Sequence, residues 1–252
     1  MRPIGGDEPV LGVLAATRSE LNAFVGEAEA GLSVPEIAGA RHYRFGEVEV
    51  IGVVTGQGTQ LCSVAVARAL ENRRFAALLM VGVAGGTQPG QAPGDLLVAS
   101  GAGPLFSDPT LAAPDLVTSI ANGLEAAETS VRIGPLAAVE RLAQSEEKRR
   151  LGESGFIGVD METQTMLAAA RQAGIPAASV RVVLDPLERD IPRSVAALAA
   201  AQGGRLWPDI VGLARWPVEV REIVQFMRDM GTALGALRAA AEPVVRAVGD
   251  EG

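Results

Sequence analysis

The chain has one cysteine, Cys62, and one histidine, His42, in 252 residues. A lone cysteine cannot form an intrachain disulfide, which suits a reducing compartment. The same scarcity excludes a zinc site built from several Cys and His ligands, so metal-free chemistry with no cofactor is the expectation. A Ser-His-Asp triad would have to use His42, which sits in the polar run Arg41-His42-Tyr43-Arg44. It would also need a serine on a matching turn, and a surface histidine is the better reading. Aromatic residues make up only 4%, so the core must be built from Ala, Val, Leu and Ile. Basic residues are outnumbered, 22 against 30, for a net charge of −8. That argues against nucleic acid as a partner, because phosphate binding draws on basic patches. No apolar run approaches the ~20 residues needed to cross a bilayer. The first one, at 10–16, follows Asp7 and Glu8 and is too short for a secretory signal. A cytoplasmic protein is expected. A P-loop nucleotidase is excluded too, since no Gly-x-x-x-x-Gly-Lys-Ser/Thr run exists.

What the sequence does have is a steady alternation of short apolar runs with helix-forming stretches. Strands are predicted at 10–16, 43–45, 48–54, 76–83, 96–99, 134–139 and 177–183. Helices are predicted from Thr17, over 60–72, 117–127, 143–151 and 163–173, and in an amphipathic tail at 218–248. The stretch 101–114 reads as turns, with Phe106 its only aromatic, and an Ala-rich helix opens at Ile191-Pro192-Arg193. This pattern predicts a single-domain α/β protein, with a mixed, twisted central sheet flanked by helices and a helical C-terminal extension from about 191.

The chemistry concentrates in Gly158-Val159-Asp160-Met161-Glu162 and in Arg181-Val182-Val183-Leu184-Asp185-Pro186. Between them runs a helix closed by Gly174 and stopped by Pro176. Glu162 therefore stands at a helix start and Asp185 at the carboxyl end of a strand, where open α/β sheets place their ligand sites. Each carboxylate alone has an ordinary explanation, as a partner of a helix dipole or as a turn residue. Their joint occurrence around Gly-Ile-Pro and a strand is harder to obtain from structure alone. Gly56-Gln57-Gly58, between a strand and a helix, lets backbone N–H groups approach a ligand closely, though such turns also serve packing.

These pieces in this order resemble the nucleoside phosphorylase superfamily. The carriers are Glu20 after the first strand, Thr55-Gly56-Gln57-Gly58, Val81-Gly82-Val83-Ala84-Gly85-Gly86, Pro93-Gly94-Asp95, Val159-Asp160-Met161-Glu162 and the strand ending at Asp185. Within it the chain is similar to nucleosidases acting on methylthioadenosine and S-adenosylhomocysteine. Beyond Asp190 it looks more like the hopanoid-associated phosphorylases. The resemblance implies cleavage of an N-glycosidic bond in a purine nucleoside, with release of adenine. It makes Asp185 the general acid at purine N7, and Glu162 the holder of the ribose hydroxyls. Met161 would pack under the sugar, and Glu20 would orient an attacking water. Gly58, Gly85, Gly86 and Phe106 are implied as substrate contacts, and the backbone from Leu136 to Val139 as reader of the base edge. Homo-oligomers are the rule in the superfamily.

Two departures stand out. Leu184 and Val83 occupy positions where the superfamily often has serine, which removes hydroxyls that assist the acid or hold phosphate. Phosphate as co-substrate and water as nucleophile both stay open, with water favoured because Glu20 puts a negative charge where phosphate would sit. A nucleoside-binding module without catalysis is the main competing reading. A dinucleotide-binding oxidoreductase is a weaker one, lacking Gly-x-Gly-x-x-Gly after the first strand. Finally, Leu206, Trp207, Ile210, Val211, Leu213, Trp216, Val218 and Phe226 gather apolar surface, interleaved with Arg205, Arg215 and Arg221. This patch either docks the C-terminal helices, or accepts an apolar 5′ substituent such as a hopane skeleton, or touches a membrane surface.

Overall fold

Val10–Ala15 (β1) is wholly buried and lies in the middle of the sheet, as a short apolar run without alternation should. The computed structural model describes residues 10–26, 28–192, 194–195 and 220–249. After β1 come α1 (Arg18–Phe24), β2 (Glu29–Ser33), β3 (Arg41–Phe45), β4 (Val48–Val54), α2 (Thr59–Asn72) and β5 (Phe75–Gly86). They are followed by β6 (Leu96–Gly103), β7 (Thr110–Leu111), α3 (Pro114–Ala126), β8 (Val131–Ala138), α4 (Ser145–Glu153) and β9 (Gly158–Asp160). The described chain closes with α5 (Thr163–Ala173), β10 (Ala177–Asp185) and α6 (Val220–Gly249). The class is mixed α/β, as the alternation predicts.

The ten strands form one sheet in the order β10-β6-β8-β9-β5-β1-β4-β3-β2, with β7 on β6. β10 also pairs with β5, so β5, β10, β6, β8 and β9 close into a ring. The pairings β1–β4, β1–β5, β5–β10, β6–β8 and β8–β9 are parallel; β6–β10 and β5–β9 are antiparallel. The parting of two neighbours makes the crevice. β1 follows β5 up to Ala15 opposite Val81, and β9 joins the same edge only at Gly85 opposite Val159. Between these points lies Gly82 at φ +150°, a conformation that L side chains rarely adopt. A Cβ there would strike Glu20 Oε1 and come within 2.7 Å of Arg181 Nη1.

The predicted elements are present with shifted ends, and several corrections follow. The stretch at 101–114 is not only turns: residues 101–103 extend β6, β7 forms, and Pro114 opens α3 as its first residue, where its missing N–H costs nothing. β2 is an edge strand exposed throughout, and β9 has three residues. Neither carries enough pattern to predict. The tail helix α6 is docked by Ile223, Phe226, Met230, Ala233, Leu237 and Val244, all buried at helical spacing, against α1, α3 and β10. Phe226 is therefore packing, while Arg221 is exposed. The rest of the proposed patch, Arg205 to Val218, lies outside the described residues, as does most of the Ala-rich stretch after Ile191. Among the described residues no helix is long and apolar enough to cross a membrane.

Candidate active site

Where β1 and β9 part, a cleft opens over the carboxyl ends of β1, β5, β9 and β10. Glu20, Met161, Glu162, Asp185, Gly85 and Val139 all line it, so six of the nine predicted site residues meet in one place. Apolar walls come from Val83, Leu142, Leu184 and Ile191.

Glu20 reaches the cleft from the first turn of α1. Thr17 caps the helix by accepting the Glu20 N–H at 3.2 Å, and Glu20 Oε2 accepts the Thr17 N–H at 2.8 Å and its hydroxyl at 2.7 Å. Oε1 accepts the Val83 N–H at 2.9 Å. The carboxylate is thus held by both ends of the crevice. Glu162 is the N-cap of α5. Its Oε1 accepts the Gly58 N–H at 2.7 Å, and its Oε2 lies 3.6 Å from Arg181 Nη2. Burial pushes the Glu162 carboxyl up to about 7, with Arg181 opposing and Asp160 adding to the rise.

Beneath Glu162 lies a buried network. Arg181, in the middle of β10 and without solvent exposure, pairs with Asp160 Oδ2. Asp160 Oδ2 also accepts the Thr163 N–H at 3.0 Å and its hydroxyl, and the Thr163 hydroxyl contacts that of Ser179 at 3.0 Å. Burial works against the Arg181 cation, but Asp160, Glu162 and Glu20 outweigh it and its pKa rises. Arg181 Nη1 and Asp160 Oδ1 are buried without hydrogen-bond partners among the described residues.

On the opposite wall Asp185 ends β10. Its Oδ2 accepts from Lys148 Nζ at 2.9 Å, while no other residue bonds Oδ1 among the described residues. Burial raises the Asp185 carboxyl above its ordinary range, against the pull of Lys148 and with help from Asp190. A raised pKa keeps a proton available for transfer. β9 is set in place by Thr87, Gln88 and Gln91. Their side chains donate to the carbonyls of Phe156 (2.6 and 2.7 Å, from Thr87 and Gln88) and Ile157 (2.8 Å, from Gln91).

Three residues predicted as contacts are not part of the cleft lining. Gly58 does not line the cleft: at φ +86° its N–H is committed to Glu162, so it positions that carboxylate instead. Gly86 lies outside the lining, packed against Gln91, Val183 and Pro186. Phe106 is 95% exposed at φ +68° and away from the cleft. Val139 is at the cleft, but its N–H is bonded to the Asp160 carbonyl at 3.0 Å, which leaves only its carbonyl to read a base. Leu136 is fully buried. The surface reading of His42 also needs revision. It is partly buried on β3, 3.8 Å from Glu49, where burial lowers its pKa against the pull of Glu49; it does not touch the cleft. Buried Cys62, whose thiol donates toward the Glu162 carbonyl, is pushed up to about 12 by burial and by Glu162, and is no nucleophile. Among the described residues no group of three or more His, Cys, Asp or Glu is arranged to hold a metal ion.

The fold has counterparts. No curated protein sequence matches the chain. Among solved structures, the Helicobacter pylori 5′-methylthioadenosine/S-adenosylhomocysteine nucleosidase superimposes with a TM-score of 0.70 at 14% identity, over 98% of this chain and 100% of that one. The Neisseria meningitidis nucleosidase of the same name, bound to methylthio-immucillin-A, gives 0.69 at 16% identity, over 95% and 99%. Futalosine hydrolase of H. pylori gives 0.69 at 15% identity, over 97% and 98%. At these identities the likeness shows the fold. The family model described as the Phosphorylase superfamily matches residues 10–206, and the chain belongs to that superfamily.

Proposed function

We propose that the protein hydrolyses the N-glycosidic bond of an adenine nucleoside. One observation carries the reading: an acid with a raised pKa, Asp185, shares a cleft with two carboxylates whose oxygens are fixed by backbone N–H groups, Glu20 and Glu162. Bond cleavage builds negative charge on the purine and positive charge on the sugar. Asp185 meets the first by giving its proton to N7. Glu162 accepts the ribose hydroxyls and Met161 packs under the sugar. Glu20, with both oxygens anchored, orients the water that attacks C1′. The structural neighbours named as nucleosidases and as futalosine hydrolase support this class of reaction.

The finer substrate is proposed to carry an apolar 5′ substituent, of which the hopane skeleton is the largest form. The residues expected to hold it, Trp207 and Trp216, lie outside the described residues. A homo-oligomer is proposed as well, supported by the exposed apolar residues Leu61 and Val64, one helical turn apart on α2. The test of the activity is release of free adenine from adenosine, methylthioadenosine and S-adenosylhomocysteine by wild type and Asp185→Asn. The variant keeps its size but has no proton to give, so turnover is expected to fall ~10²–10⁴-fold with adenine affinity little changed. Activity within a few-fold of wild type would remove Asp185 from the chemistry.

A further inference from the structure

α4 has the sequence Ser-Glu-Glu-Lys-Arg-Arg-Leu-Gly-Glu, which reads as a solvated helix. Glu146, Arg149 and Arg150 are indeed exposed, yet Lys148 has no exposure at all. Lysine is among the residues least often fully buried, and its burial is costly unless the charge is paired. Here the ammonium is surrounded by acceptors. Its Nζ donates to Asp185 Oδ2 at 2.9 Å and lies 2.8 Å from the carbonyls of Pro186 and Arg189 and 3.2 Å from that of Asp185. The turn that supplies them is pinned on two sides. Asp190 Oδ1 accepts the N–H and hydroxyl of Ser145, both at 2.6 Å, and Arg189 pairs with Asp229 of α6 at 2.7 Å. Three carbonyls would suffice to close a turn around a lysine. The fourth partner is the carboxylate that lines the cleft, and it is held by the oxygen that leaves Oδ1 free of other residues.

We infer that Lys148 is a positioning residue for the acid: its ammonium fixes Asp185 Oδ2, presents Oδ1 to the purine, and stabilises the carboxylate that remains after proton transfer. This rests on the reading of Asp185 as the proton donor. In the step, the Oδ1 proton passes to N7 and the C1′–N9 electron pair leaves with the purine. Water then adds to C1′ and gives up a proton to solvent by way of Glu20, and Asp185 regains one from solvent. Lys148 keeps its own protons throughout. A cation beside the acid makes it harder to protonate but a stronger donor once protonated. Asp190 in the turn acts on the same group; Glu20, Asp160, Glu162 and Arg141 line the same cleft, with Arg181 beneath Glu162. Asp229 of α6 is occupied by Arg189. Among the charged side chains of the described residues, Lys148 is the one that bonds the carboxylate.

The experiment compares Lys148→Met and Lys148→Gln with wild type and Asp185→Asn on two substrates. Adenosine needs its leaving group protonated, whereas 4-nitrophenyl riboside releases a stable phenolate and does not. Both Lys148 variants should lose about 10- to 100-fold in kcat/KM on adenosine and stay within about three-fold on the nitrophenyl riboside, a part of the ~10²–10⁴ available to acid catalysis. The decline of adenosine kcat/KM at rising pH should also move to higher pH in Lys148→Met, because the cation that favours ionised Asp185 is gone. Parallel loss on both substrates in both variants, or loss of the folded protein in both, means that Lys148 only closes the turn and overturns the inference. So does an unchanged adenosine rate and pH profile. Asp185→Asn separates the two levels. If it still cleaves adenosine, the acid assignment fails; if it does not and Lys148→Met does at wild-type rate, only the role of Lys148 fails.

Discussion

Replacing Arg181 by methionine keeps an unbranched apolar stem in β10 and removes the charge. Arg181 is fully buried, and its partners Asp160 and Glu162 are nearly so. Taking away one member of a buried ion pair leaves the other as an uncompensated charge, typically at a cost of about 3–5 kcal/mol. For a chain of this size each kcal/mol moves the melting temperature by about 2–4 °C, so Tm should drop by roughly 6–20 °C. Solvent screening reduces this figure little, since Arg181 is fully buried and the side chains of Asp160 and Glu162 are only 2% and 7% exposed.

The pH dependence gives the sharper test. Burial already lifts Glu162 from 4.5 to about 7, against the pull of Arg181. The folded protein therefore keeps a proton that the unfolded chain has released, and the stability contributed by Glu162 falls as pH rises from 4.5 to about 7. Without Arg181 that pKa climbs further, so the fall continues to higher pH. Urea unfolding of wild type and Arg181→Met at pH 5 and pH 8 should show a larger loss at pH 8. Adding Asp160→Asn to the variant should recover part of it by removing a stranded anion. A loss below about 1 kcal/mol, or one equal at both pH values and untouched by Asp160→Asn, would refute the stranded-charge argument in favour of simple repacking.

Two further outcomes test the substrate side of the cleft. If Glu162 accepts both ribose hydroxyls, 2′-deoxyadenosine should show kcat/KM at least ten-fold below adenosine, and Glu162→Gln should narrow the gap; equal values for the two substrates would reduce Glu162 to the N-cap of α5. Adenine release should proceed at full rate in phosphate-free buffer with free ribose as product, because like charges 4 Å apart repel by about 4 kcal/mol near a protein surface and Glu20 and Glu162 both line the cleft; strict phosphate dependence with ribose 1-phosphate formed would reverse that expectation.

The parts of this site that were legible in sequence are those set by local pattern. Glu162 and Asp185 sit at element ends, and such ends are marked by apolar runs, Gly174 and Pro176. The capping relation of Thr17 and Glu20 spans three residues and has the same local character. The parts that were not legible depend on partners far along the chain. Lys148 meets Asp185 across 37 positions, and nothing in Glu-Glu-Lys-Arg-Arg singles it out except its helical spacing from buried Leu151. Arg181 offered a stronger signal. An arginine inside an otherwise apolar run, read as a strand buried on both faces, must have an anionic partner, and in the structure Asp160 supplies it. Gly58, the N-cap of α2, and Gly86, at the end of β5, permit close approach, and the groups that approach them in the structure are protein: the Glu162 carboxylate at one and Gln91 at the other.

Leu184 and Val83 take on a different meaning in the structure. Both line the cleft, and neither supplies a hydroxyl. At 83 the polar function stays with the main chain, whose N–H holds Glu20 Oε1 and does not depend on the side chain. At 184 the side chain offers no such group, and the acid is bound from behind, by an ammonium that α4 carries into the core. A hydroxyl beside Asp185 would donate a neutral hydrogen bond and leave the carboxyl's charge balance to burial alone. An ammonium shields the anion formed in the step, and charged hydrogen bonds are roughly twice as strong as neutral ones. The apolar Leu184 complements that arrangement, since a drier wall strengthens the pairing of Lys148 with the developing carboxylate. Loss of the two hydroxyls is thus compatible with an active acid whose support comes from a different element of the fold.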